Sequence, residues 1–112
     1  MSILDRYYAA LDQRAGEERA KAAQAKSRGD EREHSIHLMQ SSMLGDMLRT
    51  LGRVQHEGAR PGILDAQIRT LEAETERQRE KGDFDAADRA QIKAQTIAWA
   101  QDVLRELEQQ HE

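Results

Sequence analysis

A chain of 112 residues with 38% hydrophobic and 34% charged side chains, 4% aromatics and a formal net charge of -4 has material for one small core and not for two. The absence of cysteine excludes disulfides and thiolate chemistry and is compatible with a reducing compartment. No stretch approaches the roughly 20 apolar residues that span a bilayer, and Met1-Ser2-Ile3-Leu4-Asp5 offers no basic lead before an apolar run, so a cytoplasmic location is expected.

Charges interleave with Ala, Leu and Gln, and Pro61 is the only proline, a composition of solvated helices rather than of disorder. Ser2, with Asp5 three residues on, predicts a capping box before a first helix from about Ile3 to Arg28. Gly29 stops that helix. Asp30 caps the second, with Glu33 in the reciprocal position, and Gly58, Pro61 and Gly62 mark the loop that ends it. A third helix is expected over about Ile63 to Lys81, Gly82-Asp83 repeats the turn, and a fourth runs from about Phe84 to near the C-terminus. Leu64, Ile68, Leu71 and Thr75, and Ala90, Ala94, Ile97, Ala100, Leu104 and Leu107, follow helical spacing. Strand alternation is absent.

The chain reads as one helical hairpin written twice. Ile3-Leu4-Asp5, Gly29-Asp30 and Leu48-Arg49-Thr50-Leu51 recur as Ile63-Leu64-Asp65, Gly82-Asp83 and Leu104-Arg105-Glu106-Leu107, at offsets of 60, 53 and 56. Those offsets imply a loss of seven residues in the first helix and a gain of three in the second. The fold expected is all-α, an up-down-up-down four-helix bundle in one domain, with hairpin one over about 3–56, a loop at 57–62 and hairpin two over about 63–110. Folding at Gly29-Asp30 sets Ala22 against His37, Ala15 against Leu44 and Leu11 against Leu48. The large apolar residues collect at the end holding both termini, so the tips, 19–33 and 72–88, are expected to be mobile or to dock.

On the fourth helix Ile92, Thr96, Trp99 and Val103 step by four, three and four on a stripe rotated away from Ile97 and Leu104. Either this helix is the most buried of the four, or Trp99 anchors an interface, where Trp is over-represented among residues that carry binding energy. Arg49, Arg53, Arg60 and Arg69 with His56 form a basic zone around the loop. It is interrupted by Glu57 and Asp65 and lacks interleaved aromatics. The balance of nine basic to eight acidic residues in 1–56 turns to eight against thirteen in 57–112, so nucleic acid is the weaker partner class.

Glu31 with His34 and Glu108 with His111 carry the Glu-x-x-His spacing of di-metal bundles. They open the second helix and close the fourth, too far apart in such a bundle for one site. His34 and His37 share a face beside Glu33, short of the converging ligands zinc prefers. No metal or cofactor is expected. Ser35, Ser41 and Ser42 lie mid-helix, where hydroxyls back-bond or face solvent, and no nucleophile and base pair is visible, so the chain reads as no enzyme. Its expected role is a protein-protein interaction module of adaptor, chaperone or inhibitor type, homodimeric through the fourth helix or the thin tips, with Ile92, Trp99 and Val103 as the contact stripe; a nucleic-acid-associated regulator using Arg49 to Arg69 and a metal-binding bundle are the alternatives.

Lys81-Gly82-Asp83-Phe84-Asp85-Ala86-Ala87 resembles the inter-helix turn of tetratricopeptide hairpins, and Leu71-Glu72-Ala73-Glu74 through Phe84 and Ala87 is similar to the UVR hairpin of repair and protease-adaptor proteins. Both are protein-binding hairpins, and the likeness, over about residues 69 to 95, implies that kind of role. It departs from them in lacking a 34-residue period and in placing Ala94 where the UVR pattern has a larger aliphatic residue. Shared hairpin physics accounts for it.

Overall fold

Ser2 Oγ accepts from the Asp5 N–H at 3.1 Å while the Ser2 N–H donates to Asp5 Oδ2 at 3.4 Å, so the expected capping box starts α1, Ile3–Ser27. In this computed structural model, which describes residues 2–53 and 60–111, the other elements are α2 (Glu31–Arg53), α3 (Arg60–Glu80) and α4 (Phe84–His111). The described residues contain helices and turns and no strand. None of the helices is long and apolar enough to cross a membrane.

Both hairpins turn by one device. Gly29 adopts φ 77° and Gly82 φ 80°, left-handed conformations that cost a residue with a Cβ on the order of 1–2 kcal/mol. The N–H of Gly29 then reaches Lys26 O and that of Asp30 reaches Ala25 O, as Gly82 reaches Arg79 O and Asp83 reaches Gln78 O. This Schellman pattern satisfies carbonyls that a helix end leaves open. Asp30 Oδ1 next accepts from the Glu33 N–H and Asp83 Oδ1 from the Ala86 N–H, each at 3.1 Å. The aspartates thus cap the following helices. The Asp30 N–H is spent on Ala25 O, so the reciprocal bond expected from the Glu33 side chain does not form, and that carboxylate turns to His37.

Leu11 and Leu64 each stand 18 residues before their turn glycine, and Leu44 and Ile97 each stand 15 after it; all four are buried. Counted from the turn glycines, one offset of 53 relates these buried positions of the two hairpins. Because the turn fixes where the helices face each other, seam positions are counted from the glycine.

The chain divides into two compact units, one of Met1–Arg53 with Val103–Glu112 and one of Val54–Asp102. In the first, α1 packs along α2 and buries Tyr7, Leu11, Ala15, Ala22, Ala25, Ile36, Leu44 and Met47. In the second, Leu64, Ala87, Ala90, Ala94, Ile97 and Ala100 are buried, while Arg79 Nη2 donates to Gln91 Oε1 at 3.0 Å and Gln101 Nε2 to Asp65 Oδ1, tying α3 to α4. Small side chains close the seam near both turns, with Ala22, Ala25 and Ala87 buried.

One boundary differs from expectation. Helix α3 begins at Arg60, placing Pro61 and Gly62 in its first turn rather than in the loop; a first-turn N–H has no intrahelical partner, so proline is tolerated there. The remainder of the expected loop, 57–59, and the predicted end of the second helix beyond Arg53 lie outside the described residues.

Candidate functional site

Along α4 the helix places Ile92, Thr96, Trp99 and Val103 on one stripe, as expected from their spacing. Thr96 is 1% exposed, and its hydroxyl donates to Ile92 O at 2.8 Å, so it lines the stripe without presenting a polar group. Ile92, Trp99 and Val103 are half-buried. The stripe runs beside the buried row of Ala90, Ala94, Ile97, Ala100 and Leu104, giving α4 two apolar faces. Among the described large hydrophobic side chains, Leu38 and Phe84 are exposed, Phe84 by 68% at the first position of α4.

The basic zone is divided. Arg49 is exposed and paired with Asp46 one helical turn away, which offsets its charge. Arg69 is exposed on α3. The side chains of Arg53 and Arg60, at the last position of α2 and the first of α3, lie outside the described residues, as does His56. Arg49 and Arg53 belong to one compact unit, Arg60 and Arg69 to the other.

The most elaborate chemistry lies in the seam of the first hairpin. Glu18 is 2% exposed. Its Oε2 accepts from His37 Nδ1 at 2.6 Å, and Oε1 from Arg14 Nε at 3.4 Å with Lys21 Nζ at 3.7 Å. The other ring nitrogen, His37 Nε2, faces Glu33 Oε2 at 3.2 Å. On either side, Ser41 Oγ donates to Ala15 O at 3.0 Å and His34 Nδ1 to Ala22 O at 2.9 Å. Ala15, Glu18 and Ala22 on α1 and His34, His37 and Ser41 on α2 repeat the three and four spacing of a helix face, so both rows meet along one line. Burial pushes the Glu18 carboxyl up, but the hydrogen bond from His37 and the charges of Lys21, Arg14 and His37 outweigh it and hold the group below its ordinary value.

This seam corrects several sequence expectations. Across the seam His34 bonds to the Ala22 carbonyl and Ser41 to that of Ala15. Ser41 is buried and bonds across the hairpin instead of to its own helix. His37 has both ring nitrogens facing carboxylates, and among the described residues no group of three or more His, Cys, Asp or Glu is arranged to hold a metal. Sequence reading missed Glu18, since a lone glutamate among alternating charges reads as solvated. The signal was available by counting 11 residues back from each glycine, which pairs Glu18 with Leu71.

In the second hairpin an open groove of about 210 Å³ is lined by Glu72, Thr75, Glu76, Arg79, Gln91 and Ala94. The Thr75 hydroxyl donates to Leu71 O at 2.8 Å and Arg79 is engaged with Glu76 and Gln91. The chain matches no family model, no curated protein and no solved structure, and the likeness to tetratricopeptide and UVR hairpins remains one of hairpin geometry.

Proposed function

We propose that this chain is a non-catalytic helical protein-interaction module of the cytoplasm, acting as a homodimer, with its two hairpins closed into an up-down-up-down four-helix bundle. The observation that carries the reading is Trp99, a large aromatic held half-buried with Ile92 and Val103 on one stripe of α4. An indole at the boundary of water is the kind of anchor that gains most from a partner completing its burial. Among the described residues, His34, His37 and Ser41 bond across the seam and hold α1 against α2.

Trp99→Ala tests it. The expected result is a fall in light-scattering mass from twice 12.8 kDa toward 12.8 kDa with the helical circular dichroism retained. A wild-type chain already running as a monomer, or a variant that loses helicity at unchanged mass, returns Trp99 to the core and removes the interface.

A further inference from the structure

We propose that the Glu18 to His37 contact is an acid-sensitive clasp, whose release lets α1 and α2 part while the α3 to α4 hairpin stays closed. The geometry that carries it is a carboxylate 2% exposed gripped across the seam at 2.6 Å and surrounded by cations. From α1 it faces Arg14 and Lys21, and from α2, the helix packed against it, His37, which is in turn backed by Glu33. Adding a proton to Glu18 removes the one negative charge at the centre of that group. Arg14, Lys21 and His37 then converge on a neutral acid, and mutual repulsion replaces attraction around a carboxyl that is itself shielded from water.

The second hairpin supplies an internal control. Counted from the turn glycines, Glu18 and His37 correspond to Leu71 and Ala90, which carry no titratable group. The same frame thus holds a titratable pair at these positions once and an aliphatic pair once. The direction is set by the carboxyl being held below its ordinary value. Such a group contributes stability that is complete above its unfolded-state pKa and is lost as pH falls through the lower native one. The clasp is therefore closed at neutral pH and opens in acid.

The test uses the full chain, which has no cysteine of its own. Spin labels at Ala20→Cys with Ser42→Cys report the first hairpin, and Ala73→Cys with Gln95→Cys report the second; all four positions are exposed and correspond through the offset of 53. Between about pH 7 and about pH 3, the first pair is expected to pass from one narrow distance to a broad, longer distribution, with the second pair unchanged. Combining the first label pair with Glu18→Leu and His37→Ala, the residues of the second hairpin, is expected to abolish the acid step. Both pairs broadening together, neither broadening, or an acid step that persists in that combined variant would each overturn the proposal.

Discussion

The two hairpins of this chain share a turn, a capping aspartate and a spacing of buried positions, yet they close their seams by different chemistry. In the first, Glu18, His34, His37 and Ser41 bond across the interface. In the second, the corresponding Leu71, Ala87, Ala90 and Ala94 fill the same line with aliphatic carbon, Ala87, Ala90 and Ala94 all buried. Apolar packing is tolerant of direction and pH, whereas a buried carboxylate is tolerable only with its partners in place. The comparison separates what the hairpin frame requires, a left-handed glycine and a row of buried positions, from what the seam can vary.

The largest effects should fall on what the hairpins have in common. Leu11→Ala and Leu64→Ala each remove a buried leucine from equivalent positions, and urea denaturation should show losses of about 2–5 kcal/mol for either. A large loss at one and almost none at the other would break the shared frame. Next comes the difference between the seams. His37→Ala leaves Glu18 buried with only Arg14 and Lys21, a destabilisation of about 1–3 kcal/mol, and adding Glu18→Leu should recover most of it because a buried ion pair is commonly replaceable by apolar contact. Failure of the second substitution to restore stability would mean that the polar seam holds the hairpin in a way that carbon cannot. Smallest are the turns: Gly29→Ala and Gly82→Ala should each cost about 1–2 kcal/mol in thermal melts, and near-equality of the two would confirm that one device serves both.

Much of this architecture is legible from local signals. Ser2 with Asp5, Gly29 with Asp30 and Gly82 with Asp83 act within a few residues of themselves, and the structure places caps and turns at each. Pro61 misleads for a local reason too, because proline suits a helix's first turn as well as a loop. The first hairpin's seam is not legible from local signals. Glu18 and His37 are 19 residues apart, and nothing near either marks it as buried; their meeting depends on the turn between them. The site on α4 stands between these cases, since the spacing of Ile92, Thr96, Trp99 and Val103 predicts a common stripe, while burial alone divides them into a buried Thr96 and half-buried neighbours.

By itself the sequence determined four helices, two glycine bends and a second apolar stripe on the last helix, because hydrogen bonds and steric preferences within one turn of chain decide these. Only the tertiary structure decided the 53-residue frame, the cross-hairpin bonds of Ser41 and His34, and the burial of Glu18. A charged side chain leaves water only when distant partners are already assembled to receive it, and that condition is met by the folded pair of helices and by neither helix alone.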